Sequence, residues 1–487
     1  MDFLDPAKKR AHRIRLFIGY MLVAIAIAMG SLILLFQSYG YDLDRKTGAV
    51  IQNGLVFLAA HPSSAAVYLD GKQQKNQTDT RLTLPAGQYQ LELKRSGYHT
   101  WQHVLNLEGG SIERLVYPLL FPEKLITQDV QLYASAPTMA SESLDRRWLM
   151  VQQPQSFTSF DVFDLAVASP QPETLTLPAD LLTTASGAQS LSVVEWSSDN
   201  RHLLVKHTFS SGSEFIVIDR QTPAASVNLN KTLATNPTQI TLRDKKPDQF
   251  YLYDEKTEAL QVADLKTHQP TTLLNGILAF KSYGADTVLY AAALGDKVQL
   301  KLRDNDGSFV LRTLPVGTKY LLDITQYNGH WYMIASAQNE GRLNIYKDPQ
   351  DIIKQPSPKP LAPITYLKID QPQFVSFSQN AEFIMVQDGT KFGVYDIETD
   401  RRLYYELKLP VDVSQQANWM DGDRLSVNDG VHSVVFDFDG TNQRTLVSSQ
   451  LATTPFFDRD YTALYTLGPS TVVPSRTALT RTPLVVK

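Results

Sequence analysis

From about residue 123 onward the chain repeats one loose unit. An apolar strand leads through a polar turn to a second apolar strand, and a third ends in an acidic or glycine-containing turn. The clearest copy runs Val193-Val194-Glu195-Trp196-Ser197-Ser198-Asp199-Asn200, then Leu203-Leu204-Val205, then Phe215-Ile216-Val217-Ile218-Asp219. Others begin at Phe374-Val375-Ser376-Phe377-Ser378-Gln379-Asn380 and at Asn418-Trp419-Met420-Asp421-Gly422-Asp423. With the turn placed near Asp145, Asp199, Lys246, Ala285, Asn328, Gln379, Gly422 and Arg459, the mean interval is about 45 residues, the period of four-stranded propeller blades. One such sheet cannot bury both its faces, so units stack around an axis and close a ring. Residues 122–487 have room for eight blades, with seven and longer loops as the alternative. Closure is expected between a strand near residues 125–132 and the segment ending Pro483-Leu484-Val485-Val486. Trp148, Trp196, Trp331 and Trp419 sit beside the turns and are read as packing residues between blades.

The other end of the chain obeys a different solvent. Residues 16–36 read LFIGYMLVAIAIAMGSLILLF, without a charge. As a helix they span about 31 Å, the thickness of a hydrocarbon core. A helix also satisfies its own backbone in lipid. Lys8, Lys9, Arg10, Arg13 and Arg15 precede the run, whereas Asp42, Asp44, Arg45 and Lys46 follow it. That asymmetry keeps residues 1–15 in the cytoplasm as a basic tail and places the rest outside. The apolar run exceeds the core of a signal peptide and ends in Phe36-Gln37-Ser38-Tyr39, a poor cleavage site, so the expectation is a single-pass anchor.

Residues 37–52 read as a polar linker. From Gly54 short strands take over: Leu55-Val56-Phe57-Leu58, then Ala66-Val67-Tyr68-Leu69 ending in the Asp70-Gly71 turn. Tyr89, Leu91 and Leu93 alternate with Gln90, Glu92 and Lys94, which marks a strand with one buried face. The segments SSAAVYLDG, LTLPAGQYQLELKRSGYHTW and VLNLEGG over residues 53–121 resemble the PEGA domain family. The name-giving tetrapeptide is replaced by Pro85-Ala86-Gly87, so the likeness is to the general pattern. The resemblance implies a small β-sandwich-like module of surface proteins without catalytic residues. The W/F-S-x-D/N-x-x-x-L/I pattern of the repeats resembles TolB-type and WD-repeat-like propellers. It implies a protein-binding or envelope role, although a fold of this kind does not decide function. The fold class expected is thus an all-β ectodomain, a PEGA-like sandwich and a β-propeller, behind one transmembrane helix.

Chemistry is scarce. Cysteine is absent, which excludes disulfides, zinc–thiolate sites, iron–sulfur clusters and cysteine nucleophiles. The formal net charge of -4 gives no reason to expect nucleic acid as a partner. No Gly-x-Ser-x-Gly elbow or following α/β domain is present, which closes the prolyl-oligopeptidase reading. His99 and His103 have the spacing of a helical zinc site, but on a strand they stand about 13 Å apart. Asp304-Asn305-Asp306-Gly307 opens like a calcium loop, yet the twelfth position is Pro315, so a hairpin turn is favoured. Asp437-Phe438-Asp439-Gly440 is likewise a turn. His202, His207, His330 and His432 belong to different repeats and are read as scattered structural histidines. Asn76-Gln77-Thr78 and Asn230-Lys231-Thr232 match the glycosylation sequon, which matters only in a suitable host.

No catalytic, cofactor-binding or metal-ligating residue is assigned, and no binding residue can be named. The function expected is a membrane-anchored extracytoplasmic binding or scaffolding protein of the cell envelope. Its partners would be the bilayer and an envelope protein or polysaccharide. A propeller-class enzyme, such as a glycan lyase or glycosidase, and a ligand sensor acting through a membrane partner are the alternatives.

Overall fold

The computed structural model describes residues 6–38, 40–43, 50–355, 361–408, 414–449 and 455–486. The chain divides into two compact units, 1–124 and 125–487.

In the first unit, helix α1 (Pro6–Ser38) contains the whole apolar run. Leu22, Leu32, Leu34 and Phe17 are all more than half exposed, so no described residue covers them, and only Phe36 at the end of the run meets another ring, Tyr41, at 4.6 Å. It is long and apolar enough to cross a bilayer. Residues Tyr41–Leu43 pair antiparallel with Val50–Gln52, and Gln37 and Ser38 still belong to helix α1, so the expected linker 37–52 begins in helix and continues in strand at 41–43 and 50–52. The apolar pair Val50-Ile51 extends the next strand backwards, which the polar neighbours in the sequence concealed. Two four-stranded sheets follow, one built on Val50–Leu58 and the other on Gly87–Lys94. They enclose Val56, Leu58, Val67, Leu69, Leu91, Leu93, Trp101 and Leu105. Leu91 and Leu93 are buried as their alternation requires. Asp70 (φ 48°) and Gly71 (φ 76°) form the hairpin turn between Leu69 and Lys72, the two left-handed positions such a turn demands.

The second unit is a β-propeller. Among the described residues it holds eight four-stranded antiparallel sheets in chain order. Their first strands are Ala140–Glu142, Gln189–Trp196, Gln239–Leu242, Ile277–Tyr283, Tyr320–Tyr327, Phe374–Phe377, Asn418–Trp419 and Phe456–Phe457. Every turn placed from the sequence lies between the first and second strands of one of these sheets. The eighth sheet takes its fourth strand from the start of the unit. Gln128–Tyr133 pairs with Thr477–Pro483, with Tyr133 opposite Thr477 and Leu132 opposite Ala478. The ring is therefore closed by pairing its two ends, as expected.

Apolar runs such as Leu203-Leu204-Val205 are continuous because both faces of each sheet are buried. Leu203 and Val205 pack on Met150, Phe160 and Val162 of the first sheet. Leu204, on the opposite face, packs on Ile240, Phe250 and Leu252 of the third. The fourth and fifth sheets meet through Leu289, Leu300, Met333 and Tyr346. The fifth and sixth meet through Ile334, Ile345, Leu367, Ile384 and Val386.

Asp129 locks the closure. Its carboxylate accepts from Ser470 Oγ at 2.5 Å, and from the Thr471 backbone and hydroxyl at 2.8 Å each. Partial burial raises its pKa, but these hydrogen bonds outweigh burial and leave it below the usual carboxylate range. Asp129→Ala is expected to cost about 1–2 kcal/mol in urea unfolding at pH 7. A depressed pKa gives stability above the unfolded value of about 3.9 that is lost as pH falls through the folded value. The gap between variant and wild type should therefore shrink below pH 4.

Candidate functional site

The recurring turn has a definite geometry. The N–H groups of Ser143, Ser197, Ser378 and Asp458 donate to the carbonyls of Trp148, His202, Phe383 and Ala463 at 2.8, 2.9, 2.9 and 3.1 Å. Three residues into each turn, the N–H of Arg146, Asn200, Ala381 and Tyr461 returns to the first residue's carbonyl. These four residues have φ between 53° and 62°. The serine and acid of the pattern tie the loop from inside: Phe383 N donates to Ser378 Oγ at 3.0 Å, and Arg201 N to Asp199 Oδ1 at 2.9 Å. The motif is thus a turn-closing device, with its side chains spent on backbone groups.

The first strands of neighbouring sheets touch, Gln189–Trp196 with Gln239–Leu242 and Tyr320–Tyr327 with both Ile277–Tyr283 and Phe374–Phe377. In a ring of radiating sheets that places the first strands innermost and their turns at one end. Polar bridges cross all eight seams. Asp145 N reaches Asn200 Oδ1 at 3.1 Å, Ser198 N reaches Lys245 O at 2.9 Å, and Asp244 N reaches Gly284 O at 3.1 Å. Lys281 pairs with Asp323 at 3.3 Å, and Tyr327 Oη donates to Glu398 at 2.5 Å. Gln379 Nε2 and Tyr461 Oη donate to Trp419 O and Met420 O, each at 3.3 Å. Phe457 N donates to Glu142 Oε2 at 3.2 Å across the closing seam.

Arg146 stands out in this network. A non-glycine residue with a left-handed backbone, it buries its guanidinium. From the first sheet it donates to Gln379 Oε1 in the sixth at 2.8 Å and to Met420 O in the seventh, and lies 4.5 Å over the Tyr461 ring of the eighth. A side chain that joins the first sheet to the sixth spans the turn end of the ring. Burial lowers its pKa, offset in part by Glu142, Asp421 and Asp458.

Carboxylates on the inner strands serve the backbone. Glu195 accepts from Leu242 N at 2.5 Å in the next sheet. Glu142 does the same for Phe457, although burial pushes its pKa up to about 7. Asp323 is also raised by burial, opposed by Lys281 and by the N–H groups of Ile324 and Phe377. One carboxylate pair is different. Burial, then the charges of Asp423, Glu398 and Asp396, raise Glu382 to about 7, and burial with Asp421 raises Asp423 to about 6. The two sheets press closely there: a Cβ on Gly422 would meet Asn380 Nδ2 at 2.6 Å. The sequence offered no signal for this pair, because its members stand 41 residues apart in separate repeats.

The histidines do not converge, and they do not all belong to different repeats: His202 and His207 share the strand His202–Phe209 of the second sheet. His202 pairs with Asp199 at 2.6 Å, His330 with Asp348 at 2.6 Å and His432 with Asp429 at 3.5 Å. His207 is buried between Glu214 at 2.9 Å and Gln189 at 2.9 Å. In the first unit His103 stacks on Trp101 at 5.7 Å, and His99 engages Phe121 O through its backbone. Among the described residues no three His, Asp or Glu groups come together to hold a metal ion. At Asp304 and Asp306 the cation position is filled by Lys354, at 2.5 and 2.7 Å, and Asp304 faces Gly307 across a hairpin. Asp437 accepts from Asn442 Nδ2 at 2.8 Å within its turn. In the sequons, Asn76 is exposed, whereas Asn230 accepts from Phe215 N at 2.9 Å.

The tryptophans bridge neighbouring sheets as expected. Trp196 Nε1 donates to Ser141 at 2.8 Å and Trp419 Nε1 to Ser376 at 3.0 Å. Trp331 meets Tyr283 edge-on at 5.1 Å, and Arg220 of the second sheet covers Trp148 at 3.8 Å.

Residues 53–118 match the PEGA domain family. The match lies within the stretch 53–121 identified from the strand and turn pattern. No curated protein matches the chain in sequence. Among solved structures it is similar to Kluyveromyces lactis Hsv2, at 9% identity and a TM-score of 0.40, over 65% of this chain and 100% of that one. It is similar to the β-propeller domain of Myceliophteria thermophila Cps50 (Swd1), at 13% and 0.38, over 63% and 94%. A third is an oligogalacturonate lyase from Vibrio parahaemolyticus, at 9% and 0.39, over 74% and 99%.

Two variants test the turn end. Arg146→Gly relieves the left-handed backbone yet is expected to lose about 2–3 kcal/mol in chemical unfolding, because buried acceptors on two sheets lose a charged donor. Glu382→Gln should raise the thermal midpoint at pH 8 and change little at pH 5. A raised folded pKa gives stability that is fully present below the unfolded value and lost as pH rises through about 7, so only the ionised form penalises the fold.

Proposed function

We propose that this protein is a membrane-anchored extracytoplasmic binding or scaffolding protein of the cell envelope, with the propeller presenting a face to a partner. The observation that carries it is the helix, whose apolar run is exposed and, among the described residues, left uncovered over nearly its whole length. Lipid is the solvent that such a surface requires. The basic residues before the apolar run support a cytoplasmic N-terminus, and the PEGA match supports an outward-facing module behind it. The inner-strand carboxylates and turn residues hold the ring together, which leaves loops and rim as the surface for recognition.

A second reading rests on Glu382 and Asp423. Carboxyls raised to about 7 and about 6, on turns of neighbouring sheets and with the Asp423 charge acting on Glu382, suit a general acid paired with a base. In that reading the propeller turns over a glycan, and Glu382→Gln abolishes the turnover.

The test is made on intact cells carrying the full chain. A protease added outside should digest residues 40–487 and spare the tail, and crosslinking should capture an envelope component. Protection of the propeller would overturn the topology. Glycan turnover that disappears in Glu382→Gln would put the enzyme reading first.

A further inference from the structure

Helix α1 does not start where its apolar run starts. It is continuous over Pro6–Ser38, so residues 9–15 extend the membrane-crossing rod beyond Leu16. That extension carries Lys9, Arg10, His12, Arg13 and Arg15, all exposed, and the helix contains no acidic residue along its length. Among the described residues none of the five is in an ion pair. Residues 1–15 hold Lys8, Lys9, Arg10, Arg13 and Arg15 against Asp2 and Asp5, so the segment keeps an excess of positive charge.

The helix sorts these cations. At about 100° per residue, Lys9, Arg10 and Arg13 fall within an arc of about 100°. Arg13 stands four residues from Lys9 and three from Arg10, the two spacings that bring side chains together on a helix surface. Like charges at these spacings repel, so the facet gains when an anion sits among them. Arg15 lies on the opposite side of the rod.

Depth narrows the choice of anion. At 1.5 Å per residue, Arg13 stands about 4.5 Å from Leu16 along the axis, and Arg10 and Lys9 about 9 and 10.5 Å. The headgroup layer on each side of the hydrocarbon core is about 5–8 Å thick. Arg13 therefore lies inside that layer, and the long side chains of Arg10 and Lys9 reach its outer edge. The anion found at that depth is the phosphate of a lipid.

We propose that Lys9, Arg10 and Arg13 form a site for the headgroup phosphate of an anionic phospholipid in the cytoplasmic leaflet. A guanidinium meets a phosphate through two parallel hydrogen bonds, and Lys9 adds a point charge. In a zwitterionic lipid the phosphate already faces its own ammonium, whereas a net anionic lipid leaves its charge to the protein. An acidic peptide would meet Lys9 and Arg10 from solution but would have to enter the headgroup layer to reach Arg13. The proposal deepens the membrane-anchor reading above and rests on it.

The experiment uses the full chain in phosphatidylcholine nanodiscs at pH 7 and physiological salt. A trace of phosphatidylglycerol with a spin label on its acyl chain, or phosphatidylcholine with the same label, reports the fraction of lipid held at the protein. Phosphatidylglycerol should be preferred at least threefold. Lys9→Gln with Arg10→Gln and Arg13→Gln should abolish the preference while phosphatidylcholine stays restricted. Arg13→Gln alone should lower it at least twice as far as Arg15→Gln. Lys256→Gln with Lys297→Gln and Lys391→Gln, which remove the same charge from the propeller, should leave it unchanged. Inorganic phosphate and polyglutamate in solution should not displace the labelled lipid. Equal restriction of the two labels, a preference that survives the triple variant, equal losses from Arg13→Gln and Arg15→Gln, losses in the propeller control, or displacement by either soluble anion would overturn the site and leave the anchor standing. Restriction of neither label would remove the anchor and the site together.

Discussion

The fold depends on one pairing between segments some 350 residues apart. Each sheet of the propeller has two apolar faces and needs a neighbour on both sides. Among the described residues, seven of the eight seams join sheets that follow one another along the chain. The eighth exists only because Gln128–Tyr133 completes the sheet of Thr477–Pro483. Without it the first and last sheets would each expose an apolar face, Leu149, Val151 and Phe163 on one side and Tyr465, Leu467 and Leu479 on the other. Closing so long a loop costs little more entropy than closing one half its length, since the cost grows only logarithmically. The burial gained at this seam is that of any other, so closure completes the ring at a small extra entropic cost.

Closure also explains where the polar groups go. Inner strands crowd at the axis and cannot all exchange backbone hydrogen bonds with a neighbouring sheet. Their exposed N–H groups need acceptors, and Glu142, Glu195 and Asp323 supply them across seams. Arg146 answers the same need on the acceptor side, donating to a side chain and a backbone carbonyl on two distant sheets. The raised carboxyls of the inner strands follow from burial, with the nearby N–H groups opposing it. Glu382 and Asp423 differ because other carboxylates add to burial, Asp423, Glu398 and Asp396 at Glu382 and Asp421 at Asp423, and the Asn380 hydrogen bond and the Arg424 charge offset this only in part.

Much of the frame was legible in the sequence. The charge-free run of residues 16–36 names its solvent, the Asp70-Gly71 pair fixes a hairpin, and the spacing of polar turns locates the first-to-second strand connections of the eight described sheets. Those features are local, because one turn or one helix carries its own cause. The residues that meet across the ring were not legible. Arg146 sits in the same turn position as Asn200 and Ala381, and nothing within the repeat says that it reaches Gln379 and Met420. The linker also misled: residues 41–43 and 50–52 pair as strands, a pairing that the intervening polar residues hide.

The division between spent and unspent side chains separates architecture from recognition. Within the ring, His207 is held between Glu214 and Gln189, Asp129 is held by Ser470 and Thr471, and Arg424 is held by Asp421 at 2.5 Å. A ligand that sought these groups would have to break a satisfied buried bond, which costs more than the new bond returns. At the outer seam of the fifth and sixth sheets the balance reverses. Arg342, Arg402, Lys368 and Lys391 are exposed on outer strands or at their ends, and among the described residues none is in an ion pair. The rim is also where strands end in an open edge and where side chains can change without disturbing the apolar seams. Specific binding is therefore cheapest to build on the outside of this ring, at the level of side chains that the fold itself does not use.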